Sequence, residues 1–212
     1  MIIGLTGSMA AGKSTVSNML IERGFTVIDA DRVSREITED ELVKSALNDA
    51  FGGGVFAPNG DIDRAALADA AFSSRENTAK LNALTHPAII KKLILLAKEA
   101  EALSPVPVFC DVPLLFETGF DAYCDRVIVV AASDEVRYLR IMLRDGLSRE
   151  KAKLRIEKQM PQEEKIARAC AVIMNDGTLY DLERSVDAAL SALGVTTLPS
   201  LDNDYSLSDE EQ

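Results

Sequence analysis

The eight residues Gly7-Ser8-Met9-Ala10-Ala11-Gly12-Lys13-Ser14 constrain this chain more than any other feature. They fit the pattern G-x-x-x-x-G-K-[ST] and lie between an apolar run, residues 1–6, and a helical pattern from about Lys13 to Arg23 that Gly24 closes. Glycines let the backbone curl until successive N–H groups share one concavity, and the helix that follows adds its positive end. A polyphosphate fits such a hollow. Lys13 is placed to reach β- and γ-phosphates, Ser14 to offer its hydroxyl to Mg²⁺, and Thr15 to support the helix start, with Ala10, Ala11 and Gly12 completing the phosphate-facing stretch. The competing reading, a glycine-rich turn with a surface lysine, does not explain the strand before it and the helix after it.

A parallel α/β architecture is the natural host for this loop. Residues 25–28, 106–110, 126–131 and 171–174 are further short apolar runs, the last three rich in β-branched residues and expected to be buried on both faces. Helical patterns separate them, so a five-stranded parallel sheet flanked by helices is predicted, a P-loop kinase fold. Between Asp31 and about Leu103 the pattern is largely helical, interrupted by Gly52-Gly53-Gly54, by Pro58-Asn59-Gly60 and by Pro87, whose preceding residue is steered away from helix. This stretch is too long for a simple crossover and reads as an inserted helical subdomain. Ser133 is expected to cap a helix whose first turn holds Asp134 and Glu135, and residues 179–193 have the spacing of another.

At 212 residues, with 47% hydrophobic and 27% charged, the chain is expected to form one globular domain, assigned to 1–198. No run nears the ~18 apolar residues of a membrane span, and no secretory pattern opens the sequence, so a cytoplasmic protein without membrane contact is expected. Cys110, Cys124 and Cys170 are widely spaced and suit reduced thiols, with no bridge and no metal assigned. The net charge of −11 argues against nucleic-acid binding. Five acids and no base fall in 199–212, an acidic tail expected to be disordered, whereas Arg137–Arg168 holds ten bases against five acids. That basic segment is either a solvated helix face or the meeting place of a highly anionic small ligand.

The loop specifies a nucleotide and not a reaction. Neither N-K-x-D nor L-S-G-G-Q occurs, which leaves small kinases whose second substrate is an alcohol or a phosphate. Asp29-Ala30-Asp31 follows the second strand, at the edge where open α/β sheets bind ligands, and extended alternation would aim both carboxylates to one side. Asp31 is the candidate base for an acceptor hydroxyl, and Asp29 the candidate to hold a magnesium-bound water; a helix N-cap is the other reading of Asp31. Asp111, ending the third strand, is a candidate magnesium neighbour or a solvated strand end. Arg137, Arg140 and Arg144 share one helix face, and Arg140 is favoured as the lid arginine that meets the transferring phosphoryl group, in a lid spanning about 140–165. His86, the only histidine, reads as a turn residue beside Pro87.

Together these segments resemble the dephospho-CoA kinase family over about residues 1–190. The resemblance rests on L-T-G-S-M-A-A-G-K-S-T at 5–15, V-I-D-A-D at 27–31, D-R-A-A-L at 63–67, H-P at 86–87, D-V-P-L-L-F-E at 111–117, R-V-I-V-V at 126–130, R-x-x-x-R-D at 140–145 and V-I-M-N-D-G at 172–177. It implies transfer of the γ-phosphoryl group of ATP, with Mg²⁺, to the ribose 3′-hydroxyl of dephospho-CoA, by a monomer or small homo-oligomer. It makes residues 31–103 a CoA-binding subdomain with Arg64, Leu67, His86, Pro87, Leu114 and Leu115 as candidate contacts. Asp31 becomes the catalytic base, Arg140 the lid arginine and Asn175 a neighbour of the adenine. Ser8 and Ala10 depart from the family's usual glycines and add side chains inside the cradle, and Cys170 stands near a usual aspartate. The rivals are another P-loop kinase acting on a nucleoside monophosphate or polyol, and an ATP-binding module without turnover.

Overall fold

Five apolar runs become the five strands of one sheet in a computed structural model that describes residues 1–196; the acidic tail and the last two residues assigned to the kinase domain lie outside the described residues. The strands are β1 (Ile2–Gly7), β2 (Thr26–Asp29), β3 (Val108–Asp111), β4 (Arg126–Ala131) and β5 (Ala171–Met174), all parallel in the order β2-β3-β1-β4-β5. β1, β3 and β4 are buried on both faces, as expected of central parallel strands, whereas β5 stands at an edge and is only partly covered. Alternate residues divide the core. Ile3, Leu5, Ile128 and Val130 face α1 (Lys13–Glu22) and α9 (Leu179–Ala192), and Ile2, Val127 and Val129 face the opposite layer with Leu93 and Ala97.

Between β2 and β3 run four helices, α2 (Ala30–Thr38), α3 (Glu41–Phe51), α4 (Arg64–Phe72) and α5 (Arg75–Leu103). Each begins on a short polar side chain that accepts from backbone N–H groups: Asp29, Asp40, Asp63 and Ser74 in turn. Leu47, Val55, Ile62 and Leu67 give this insert a small core of its own. The break expected at Pro87 is absent, because α5 continues through it. Proline removes one N–H, so the carbonyl of Ala83 loses its helical partner, and Ala83 is exposed enough for water to replace it.

After β4 come α6 (Asp134–Asp145), α7 (Arg149–Ile156) and α8 (Gln162–Ala167). Ser133 precedes α6 as expected but makes no side-chain cap; its backbone N–H donates to Asp176 Oδ1 at 2.6 Å instead. Thr178 and Asp181 form a reciprocal capping box on α9. From β1 the chain crosses past β3 to β2, and from β3 it crosses past β1 to β4, so the connections leave these two neighbours toward opposite edges and the crevice of the sheet opens at the carboxyl ends of β1 and β3.

Candidate active site

The loop from Gly7 to Lys13 occupies that crevice. Gly12 sits at φ +93°, and a Cβ there would overlap Asn175 Nδ2, so both backbone sign and space require glycine. Ala10 adopts φ +62°, the left-handed region that glycine would enter without strain. Ser8 is buried, and its Oγ has no hydrogen-bond partner among the described residues.

The outward carbonyls of the loop are gathered by cations and one amide. Arg137 Nε donates to Met9 O at 3.1 Å; Arg140 Nη1 donates to Ala10 O at 3.2 Å and Ala11 O at 3.3 Å; Asn175 Nδ2 donates to Ala11 O at 2.8 Å. Arg140 Nη2 also reaches the backbone and side-chain oxygens of Asn175. Among the described residues Arg140 meets no carboxylate, so its charge stays unneutralised beside the cradle, while Arg137 pairs with Asp134 and Arg144 with Asp145. Much of the basic segment is likewise paired: Arg149 with Glu135, Arg155 with Asp145, Lys165 with Glu117, Arg168 with Asp121. The solvated-face reading holds for the exposed, paired cations Arg144, Arg149, Arg155 and Arg168, and fails for buried Arg137 and Lys165 and for Arg140.

Register places Asp29 beside Asp111, and Asp111 beside Leu5. Asp111 is buried, paired with Lys13 Nζ and accepting from Ser17 Oγ at 2.5 Å; it is therefore no solvated strand end. The sequence reading of both aspartates after β2 as one extended stretch is corrected. β2 stops at Asp29, which itself caps α2 by accepting from the N–H groups of Asp31 and Arg32, and Asp31 lies in the first turn of that helix. The capping role considered for Asp31 thus belongs to Asp29. Partial burial raises the Asp31 carboxyl above the ordinary 3.8; Asp29 and Asp111 push the same way, and Lys13 and Arg35 oppose them.

Two cavities meet at Asp31. One, about 790 Å³, is lined by the Gly7–Ser14 loop, Arg140, Leu143 and Arg144. The other, about 330 Å³, is walled by Ala30, His86, Ile89, Ile90, Leu93, Val112, Leu114 and Phe120. Asp31, Pro113 and Gln159 line both. A further groove continues past His86 and Ile90 to Pro87, Lys91 and Tyr123. Burial against the apolar wall disfavours the charged imidazolium and pushes His86 below its usual range.

Not every expected contact gathers here. Leu115 is fully buried in the sheet core, packed where a Cβ on Gly4 would touch it, so of the Leu114-Leu115 pair only Leu114 faces the cavity. Leu67 belongs to the core of the insert, and Arg64 donates to Glu39 at 2.9 Å and Thr38 at 3.4 Å; neither lines the two cavities. Asn175 is buried with its amide engaged by Ala11 and Arg140. Sequence reasoning missed Ser17, Gln159 and the Lys165–Glu117 pair. Ser17 was reachable from its position four residues after Lys13 on the same helix face, whereas no local pattern marks Gln159.

A phosphate cradle at the switch point of a 2-3-1-4-5 parallel sheet, with an arginine on a following helix and a second cavity opening at its side, is the architecture of a P-loop kinase. A shikimate kinase structure from Bacteroides thetaiotaomicron shares this fold at a TM-score of 0.55 and 16% identity. The chain belongs to the dephospho-CoA kinase family, whose family model, described as Dephospho-CoA kinase, matches residues 1–181. Curated dephospho-CoA kinases from Deinococcus radiodurans and Fusobacterium nucleatum are 45% and 43% identical, over 92% and 88% of this chain and 93% and 95% of theirs. A dephospho-CoA kinase structure from Campylobacter jejuni superposes with a TM-score of 0.69 at 30% identity, covering 91% of this chain and 96% of that one. A Thermus thermophilus structure reaches a TM-score of 0.76 at 40% identity, covering 91% and 97%.

Proposed function

We propose that the protein transfers the γ-phosphoryl group of ATP to the ribose 3′-hydroxyl of dephospho-CoA, giving CoA and ADP, the last step of coenzyme A synthesis. The meeting of the cradle groove and the acceptor cavity at one carboxylate, Asp31, carries this reading, together with membership of the family. ATP lies along the groove with its phosphates on the loop amides. Lys13 exchanges Asp111 for the β- and γ-phosphates, and Arg140, with no carboxylate partner among the described residues, stabilises charge on the phosphoryl group in flight. The bond from O3′ to the γ-phosphorus forms as the bond to the β,γ-bridging oxygen breaks, and the hydroxyl proton passes to Asp31.

Ser14, Asp111 and Asp29 offer hard oxygen donors suited to Mg²⁺. Mg²⁺ commonly takes only one or two protein ligands, with phosphate oxygens and water completing its shell. When bound, the ion neutralises the β- and γ-oxygens. We assign residues 31–103 to acceptor binding, with Leu114, His86 and Pro87 along the pantetheine arm, and about 140–165 to the lid. Arg64, Leu67 and Leu115 take structural roles, and Asn175 acts by holding the cradle rather than the adenine. An ATP-consuming enzyme whose three cysteines are free belongs in the cytoplasm.

An acceptor panel tests the reading. Dephospho-CoA should exceed adenosine, nucleoside monophosphates and polyols in kcat/KM by orders of magnitude; equal turnover of a monophosphate or polyol would move the protein to another branch of P-loop kinases.

A further inference from the structure

Gln159 follows α7 within the basic segment, with its backbone N–H on Ile156 O at 3.0 Å. Its side chain reaches across to the phosphate loop, where Oε1 accepts from the backbone N–H of Met9 at 3.1 Å. That contact fixes the amide: an N–H can meet only the oxygen, so the NH₂ is turned the other way. Among the described residues the NH₂ has no hydrogen-bond partner, although Gln159 is half-buried. With Asp31 and Pro113 it is one of three residues shared by the two cavities. Asp31 accepts protons there and Pro113 has no N–H, so Gln159 supplies the neutral donor at the junction where the phosphoryl group would cross.

We infer that Gln159 is a catalytic residue, its Oε1 clamping Met9 of the cradle while its Nε2 donates to a non-bridging oxygen of the γ-phosphoryl group in transit. The inference rests on the phosphoryl transfer proposed above. One side chain then links lid, cradle and transferred group, so the donor comes into place only when the lid segment lies on the loop. Arg140 lines the cradle groove but not the second cavity, so Gln159 adds a donor on the side that Arg140 does not line.

Gln159→Glu and Gln159→Met separate donation from clamping. Glutamate keeps an oxygen for Met9 and loses the donor; methionine loses both at similar size. ADP lacks the γ-phosphoryl group, so its affinity reports the cradle alone. Both variants should lower kcat for CoA formation by about 100-fold, the scale of one lost transition-state donor, with unchanged melting temperature and unchanged ADP affinity in Gln159→Glu. Wild-type kcat in Gln159→Glu would overturn the inference and leave Gln159 as a clamp, and so would a kcat loss matched by an equal loss of ADP affinity. The wild-type enzyme run alongside distinguishes the two readings: if it makes no CoA, the proposed function falls and this inference with it, whereas normal wild-type turnover with an active Gln159→Glu refutes only the role of Gln159.

Discussion

Lys165 lies on α8 with no solvent exposure, its Nζ 2.9 Å from Glu117 Oε1 and 3.4 Å from the carbonyl of Pro113. It therefore anchors the turn whose Pro113 and Leu114 wall the acceptor cavity. Lys165→Met keeps the stem and removes the ammonium, stranding Glu117. Breaking one side of a buried pair costs about 3–5 kcal/mol. Glu117 retains 25% exposure and hence some hydration, which favours the lower end, about 3 kcal/mol. At roughly 2–4 °C per kcal/mol for a domain of this size, the melting temperature should fall by about 6–12 °C. Urea unfolding should show a lower midpoint at an unchanged m-value. Lys165→Met combined with Glu117→Gln should recover part of the loss, since no charge is then stranded. A single variant as stable as the parent, or a double variant whose losses simply add, would refute the reasoning.

Asp31→Asn should lower kcat by about 100-fold or more while the melting curve stays in place, as for a lost general base; near-normal turnover would remove Asp31 from that role. Because Asp31 must be ionised to accept the proton, kcat/KM should fall as pH drops through its pKa, which stands above 3.8. Asp29→Asn keeps the cap on α2 but deletes a charge that raises that pKa, so the acid limb should move to lower pH; an upward or absent shift would contradict the assignment. Gly12→Ala should weaken nucleotide binding at least tenfold in calorimetry, since it forces a side chain at φ +93° against Asn175, at a strain of about 1–3 kcal/mol.

The parts of the fold that depend on local pattern were legible in the chain. β4 and β5 match the apolar runs at 126–131 and 171–174, and the cradle follows directly from Gly7–Ser14. Errors arose where tertiary context overrides local preference. Pro87 stays helical because α5 packs along the sheet through Leu93 and Ala97 on one side and leaves Ala83 to water on the other. Asp29-Ala30-Asp31 turns from strand to helix within three residues, which the spacing of two aspartates does not reveal. Leu114 and Leu115 are chemically alike, and only the packing beneath Gly4 decides which faces the cavity. The basic segment carries ten bases against five acids; Arg137 and Arg144 pair with acids close by in sequence and Arg149 with Glu135 on the preceding helix, whereas Arg140 turns to the loop carbonyls, a difference that only the folded partners reveal. Gln159 is invisible for the same reason, since Met9 lies 150 residues away.

Incubation of the purified protein with Mg·ATP and dephospho-CoA, with products read by mass and the phosphate located on the ribose, tests the central claim most directly. CoA carrying a 3′-phosphate should appear in equal amount with ADP. ADP without CoA, or no ADP at all, would contradict the account.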